Sequence, residues 1–248
     1  MRYSSKAGIS AKLALRGAAG VLIAEGGYRS FPALSSLPPL RRSLWPYLLG
    51  TGSSTSVALT FDDGPDPKST PLFIKELERL GVKATFFVLG EMAERYPYTL
   101  QELQNAGHEI ALHGNWHRNH LFRSARSIRY DMERSYATVS EIALSAPIFF
   151  RPPYGVITRP TLATAAQLGL RTVLWGTWGR DWRKMATPSS VMKDLKSNLE
   201  PGCTVLLHDS DCTSYPGSFR ATLAALPELT EVCAQNKLRL VPLADHGF

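Results

Sequence analysis

The sequence predicts an α/β protein: a distorted (β/α) barrel of seven to eight parallel strands. Three observations lead there. From Val57 onward, strand-like and helix-like segments alternate along the chain. The strand-like segments are Val-, Leu- and Phe-rich runs with little polar alternation, as in strands covered on both faces by crossover helices. Reactive side chains follow directly after several of these runs, which is where the open end of a parallel barrel lies. About seven such units favour barrel closure over an open, doubly wound sheet, the alternative that the pattern leaves standing.

In chain order, Val57–Phe61 reads as the first strand. A helix follows over Thr70–Leu80, with Thr70-Pro71 as its opening turn and Gly81 as its stop. "ATFFVL" (84–89) is a buried strand, and Glu91–Ala106 a helix ending at Gly107. His108–Leu112 is a strand, Ser124–Ser145 a long helix and Ile148–Phe150 a short strand. Pro160–Leu168 is a helix stopped by Gly169, and Thr172–Trp175 a strand. Ser189–Leu199 is a helix closed by Pro201-Gly202, Thr204–Leu207 a strand, Phe219–Gln235 a helix and Leu238–Val241 the last strand.

What precedes Val57 is different in kind. Residues 31–56 hold clusters of proline and then of Gly, Ser and Thr, which mark linker and loop. This divides the chain into 1–56, an N-terminal helical segment with a linker, and 57–248, the barrel. Residues 1–29 carry Arg2, Lys6, Lys12 and Arg16 ahead of "GAAGVLIA". Glu25 follows at once and there is no small-x-small cleavage pattern, so an amphipathic helix is expected rather than a secretory signal.

The bulk properties narrow the function. The chain has 248 residues, 44% hydrophobic and 20% charged, the balance of an ordinary globular protein. The net charge of +7 permits an acidic partner, but the basic residues read as scattered along the chain. Three cysteines, Cys203, Cys212 and Cys233, are odd in number and widely spaced, with no C-x-x-C, so no disulfide framework is expected. Together with the weak N-terminal segment, they lean towards a cytoplasmic protein. No apolar run reaches the roughly 18 residues of a membrane span. There is no nucleophile elbow, no phosphate-binding loop, no dinucleotide fingerprint and no nucleic-acid motif.

The residues at the strand exits carry the chemistry. Asp62-Asp63 follow Phe61; His113 follows Leu112, with His117 four residues on; Arg151 and Tyr154 follow Phe150; Asp181-Trp182 come after Trp175; His208-Asp209 follow Leu207. Two adjacent carboxylates at the exit of a buried strand repel each other unless a cation answers them. Asp63, His113 and His117 supply one carboxylate and two imidazoles, the donors of a catalytic zinc site with open positions, and they suit Co²⁺ or Ni²⁺ nearly as well. Asp62 would then stay ionised as a base, helped by Arg151. Each piece alone is commonplace; their placement after separate strands is what points to a site.

Five motifs in order, "TFDDGP", "HGNWH", "RPPYG", "RDW" and "LLHD", resemble those of the polysaccharide deacetylases, the family-four carbohydrate esterases. The resemblance runs over about residues 57–243 and implies a distorted (β/α) barrel that removes acetyl groups from N-acetylated or O-acetylated carbohydrate. It implies one divalent ion, Zn²⁺ first, on Asp63, His113 and His117. Asp62 would be the base, held by Arg151, and His208 the acid, tuned by Asp181. The Tyr154 backbone N–H would stabilise the oxyanion, and Trp182 and Leu206 would line the acetyl pocket. The partner implied is an acetylated glycan or amino sugar, with no nucleic acid and no stable membrane insertion. Two positions depart from the family pattern: Gly114 stands where Ser or Thr is usual, and Trp178 where an Asp is usual. A metal amidohydrolase acting on a small amide or ureide and a catalytically inactive carbohydrate-binding relative are the competing readings.

Overall fold

The computed structural model describes residues 26–248, so the N-terminal helix expected over 1–29 falls, up to residue 25, outside the described residues. Among the described residues, eight strands form one sheet: β1 (Ser56–Asp62), β2 (Thr85–Val88), β3 (Glu109–Leu112), β4 (Phe149–Phe150), β5 (Arg171–Thr172), β6 (Thr177–Trp178), β7 (Thr204–His208) and β8 (Arg239–Val241). Every pairing is parallel, in the order β5-β4-β3-β2-β1-β7-β6, with β8 beside the start of β1. β5 and β6 lie at opposite ends of that order yet are separated only by residues 173–176. The sheet must therefore curl until its two ends come near each other, with no ladder between β5 and β6, which is the distorted barrel.

Strand alternation decides which residues reach the barrel lumen. Val57, Leu59 and Phe61 pack outward into the main core beneath the helices, together with Phe86, Val88, Ile110, Leu112, Phe150, Val205 and Leu207. Their neighbours Ala58, Phe87, Ala111 and Phe149 belong to a separate inner cluster, and Leu206 to another with Trp175. Successive side chains point to opposite faces. Continuing that count by two, Asp62, His113, Arg151 and His208 all fall on the inner face at the C-terminal ends of their strands. In register, Asp62 lies opposite His208 across β1 and β7.

Around the sheet lie the helices α1 (Pro38–Leu44), α2 (Thr70–Leu80), α3 (Gly90–Arg95), α4 (Pro97–Asn105), α5 (Ala125–Ala143), α6 (Arg159–Gln167), α7 (Pro188–Lys196) and α8 (Phe219–Gln235). Helix α2 ends where Gly81 turns left-handed (φ 67°) and its N–H caps the Leu77 and Glu78 carbonyls. The single helix expected over 91–106 is two, broken at Tyr96-Pro97. Proline has no N–H to give the ladder, and it forces Tyr96 out of helical geometry (φ −130°, ψ 57°). Of the strand expected over 172–175 only Thr172 is in a strand, at the end of β5, and β6 begins beyond it at Thr177; the Leu174 N–H bonds the Leu48 carbonyl instead of a sheet neighbour.

That bond brings in residues 31–49 of the segment read as linker and loop, which are neither, while 50–55 are loop. Residues 31–49 form α1 between two 3₁₀ turns, and Trp45 and Leu48 pack with Ile157, Leu174, Trp175 and Leu206. Prolines at the first turn of each helix fit because the N–H they lack has no partner there in any case. Among the described residues, no helix is long and apolar enough to cross a membrane.

Candidate active site

A cavity of about 240 Å³ opens at the C-terminal end of the barrel, lined by Asp62, His113, His117, Tyr154, Trp182 and His208 among others. Asp63 sits just beyond β1 with left-handed backbone (φ 79°), a conformation that costs a non-glycine residue about 1–3 kcal/mol and that collects at functional sites. It turns the buried carboxylate so that Oδ1 lies 3.5 Å from Nε2 of both His113 and His117. That oxygen has no hydrogen-bond partner. The other, Oδ2, accepts from the Thr213 hydroxyl.

The histidines are oriented for the same point. His113 Nδ1 is 2.8 Å from the Arg151 carbonyl, which can only accept, so the ring proton is on Nδ1 and the Nε2 lone pair faces Asp63. Burial, reinforced by His117 and Arg151, holds the His113 pKa well below its ordinary value. Burial also lowers that of His117, against the pull of Asp63. Two neutral imidazoles and an orphaned carboxylate oxygen are a donor set that fits a divalent cation.

Asp62, adjacent in sequence, has different partners. Its Oδ1 accepts from Arg151 Nη1 at 2.6 Å, and its Oδ2 lies 3.8 Å from His113 Nε2. Arg151 is fully buried; it also donates to Thr60 Oγ1 (2.8 Å) and the Leu174 carbonyl (2.7 Å), and lies 4.0 Å over the Phe87 ring. The sequence reading has cations keeping Asp62 ionised. In the structure burial and the charge of Asp63 outweigh Arg151 and His208 and raise its pKa to about 6. The carboxylate is thus ionised at neutral pH and poised to gain a proton.

His208 is held from the opposite side. Its Nδ1 is 2.8 Å from Asp181 Oδ1, while Asp181 Oδ2 accepts from the His208 N–H (2.8 Å) and from Thr222 (2.7 Å). Burial alone would lower the His208 pKa, but Asp181, with Asp63 and Asp62 behind it, raises it to about 10. Its Nε2 faces the cavity, 4.0 Å from Asp63 Oδ2.

The cavity wall is aromatic. Trp175, Trp178 and Trp182 follow one another at centroid spacings of 5.4 and 5.1 Å, and Trp182 meets His208 edge-on at 5.7 Å. Leu206 and Tyr154 complete it. Tyr154 is left-handed (φ 60°) and its ring lies 4.4 Å from that of His117.

Every residue singled out from the sequence gathers here. The sequence reading did not single out Trp175 as a wall residue, nor Thr213, Thr222 and Thr60, which hold the charged groups. Asp209 also went unassigned: it is fully buried, accepts from Thr70, and burial with nearby Asp63 raises its pKa to about 7.

Residues 50–173 match the family described as Polysaccharide deacetylase. The chain belongs to the polysaccharide deacetylase family. Among its deacetylase relatives, a peptidoglycan-N-acetylglucosamine deacetylase of Bacillus cereus is 33% identical over 73% of this chain, which spans just under two thirds (65%) of that relative's length. A chitooligosaccharide deacetylase of Bradyrhizobium is 34% identical over 70% of this chain and 84% of its own. A solved peptidoglycan N-acetylglucosamine deacetylase superposes with a TM-score of 0.75 at 30% identity, covering 82% of this chain and 95% of the other.

The departure at Gly114 has a local reason. The backbone there is left-handed (φ 87°), and an added Cβ would lie 2.8 Å from Asp131 Oδ2. That carboxylate caps the loop between the two histidines by accepting from the N–H groups of Asn115 (2.9 Å) and Trp116 (3.2 Å). The departure at Trp178 puts a ring, not a charge, between the other two tryptophans.

Proposed function

We propose that this deacetylase-family chain hydrolyses the acetamide of N-acetylated carbohydrate. The observation that carries the reading is the placement of a base and an acid on either side of one cation-ready trio. Asp62 borders the trio at His113, and protonated His208 borders it at Asp63.

Asp63, His113 and His117 would hold the divalent ion, Zn²⁺ by preference among ions of that donor taste, with Co²⁺ and Ni²⁺ accommodated. When bound, the ion supplies Lewis acidity that makes water a better proton donor and polarises the acetyl carbonyl. The rest falls to the chain. Asp62 takes a proton from the attacking water, whose oxygen forms the new bond to the acetyl carbon. The backbone N–H of Tyr154, which lines the cavity, would take the oxyanion role. As the C–N bond breaks, the electron pair stays on nitrogen, and His208 Nε2 delivers the proton that lets an amine leave. Arg151 holds Asp62 in position, and Asp181 keeps the His208 proton in place until it is needed. Trp182 and Leu206 shape the apolar end where the methyl group sits.

The names of the relatives support a glycan containing N-acetylglucosamine as substrate. Acetate release from chitooligosaccharides, peptidoglycan fragments, acetylxylan and small N-acetyl sugars tests this. Release from the first two is expected. Release only of other acids from simple amides or ureides would overturn it.

A further inference from the structure

The basic residues that read as scattered in sequence are not scattered in space. Between His113 and Asp131 the chain carries Arg118, Arg123, Arg126 and Arg129 and no acid; between Glu141 and Asp181 it again carries none, and Arg159 opens α6 there. Helices α5 and α6 pack on each other. Both begin at the C-terminal end of the barrel, because each helix of a parallel barrel starts where its strand has ended. Their N-termini, and the arginines on them, therefore share the rim with the catalytic cavity.

The arginines converge on a groove of about 480 Å³ lined by Tyr28, Arg29, Arg126, Arg129 and Arg159, with small residues between them. Arg159 is fixed in place: its guanidinium lies 3.5 Å from the Tyr28 ring centroid and its Nε donates to the Tyr28 carbonyl at 2.9 Å. Arg29 donates to the Arg123 carbonyl. Among the described residues counter-charge is scarce. Glu133, 4.0 Å from Arg129, makes the one ion pair to these side chains among the described residues. Asp131 is buried and committed to the loop N–H groups. Several guanidinium forks, an exposed aromatic face and two helix N-termini that favour negative charge together describe a binding surface for carboxylates.

We infer that this groove binds the acidic part of a glycan, a carboxylate-bearing stretch of the same polymer whose N-acetyl group enters the cavity. Arg118, next to His117 in sequence and stacked 4.5 Å from the Trp116 ring centroid, lies on the chain between the two places. The inference rests on the proposed reaction for its substrate, but the groove can be tested without it.

The test titrates the full chain with polygalacturonate, an acidic polysaccharide, at increasing salt, beside neutral chitotetraose. The comparison protein is Arg126→Gln/Arg129→Gln/Arg159→Gln. Polygalacturonate is expected to bind the unaltered chain, more weakly as salt rises, and on the order of tenfold or more weakly to the triple variant. Acetate release from chitotetraose is expected to be the same in both. Absence of polygalacturonate binding, or equal binding to both proteins, would overturn the inference. So would loss in the triple variant of binding to anionic phospholipid vesicles alone. If polygalacturonate behaves as expected but neither protein releases acetate from any acetylated glycan, the groove stands and the proposed reaction falls.

Discussion

Three histidines face one cavity, and their surroundings drive them in opposite directions. His113 and His117 are pushed towards the neutral form, while His208 is pushed to a pKa of about 10. Burial is the largest influence on all three and lowers each. What differs is the partner behind the ring. His113 gives its Nδ1 proton to a peptide carbonyl, a dipole that orients without adding charge. His208 gives its own to the carboxylate of Asp181, which overturns the effect of burial. The backbone partner thus leaves His113 neutral, as a metal ligand must be, and the carboxylate partner keeps His208 protonated, as the proposed acid must be. The same contrast separates the two neighbouring aspartates: Asp62 is bound to a guanidinium, whereas Asp63 leaves one oxygen bare between two imidazoles.

The sharpest way to break this comparison is to remove one histidine from each side. His113→Ala should abolish stoichiometric metal binding and reduce acetate release to background. The barrel should stay folded, since its core lies among Phe61, Phe86, Leu112 and Val205 and their helices. His208→Ala should bind metal nearly as the unaltered chain does. Metal content by elemental analysis, beside circular dichroism, decides it. If both variants lose metal alike, the division into ligand and acid is wrong.

A smaller effect separates the aspartates. Asp62→Asn keeps the trio of Asp63, His113 and His117, so metal content should hold while the rate falls by roughly 10²–10⁴, the scale of a lost general base. In the unaltered chain a base with pKa about 6 must be deprotonated to act, so activity should fall as pH drops through that value. An acid limb that survives unchanged in the residual activity of Asp62→Asn would show that another group sets it.

Much of this site was legible in the sequence because a strand repeats every two residues. Asp62, His113, Arg151 and His208 each follow a buried run, and the alternation that hides Phe61, Leu112, Phe150 and Leu207 outside the barrel turns the next residue inward. What stayed illegible is contact at long range. Thr213 reaches Asp63 across 150 positions and Thr222 reaches Asp181 across 41, and a threonine in a polar loop or a helix carries no mark of what it will touch. The segment 31–49 was misread because proline and short apolar runs look alike in a linker and in brief helices pressed onto a barrel. The break at Tyr96-Pro97, by contrast, was written in the sequence: an internal proline ends a helix on stereochemical grounds.

The last test removes the charge of Asp181. Asp181→Asn keeps one side-chain oxygen, for His208 Nδ1–H, and sets an amide NH₂ where Oδ2 accepts from the His208 N–H and from Thr222, so the backbone bond is lost while the Thr222 hydroxyl can turn to accept. His208 must be protonated to deliver a proton to the leaving amine, so activity is lost as pH rises through its pKa. In the unaltered chain that limb should lie on the alkaline side, towards 10. In Asp181→Asn it should move down by ~1–3 units, the range for removing one adjacent opposite charge. The acid limb belongs to Asp62 and should stay near 6. Stability should change in the same direction. A histidine whose folded pKa is raised stabilises the fold fully below its ordinary value near 6.5, and that contribution fades as pH rises towards 10. The variant should therefore lose thermal stability most clearly at mildly acid to neutral pH and least above pH 10. Substrate choice gives a second readout. An amine needs the proton to leave, whereas the phenolate of an aryl acetate does not, so Asp181→Asn should slow an N-acetyl sugar at pH 8 more than an aryl acetate. Equal slowing of both, with no movement of the alkaline limb, would mean that Asp181 only braces the loop and that the contrast between the two kinds of histidine partner has no part in the chemistry.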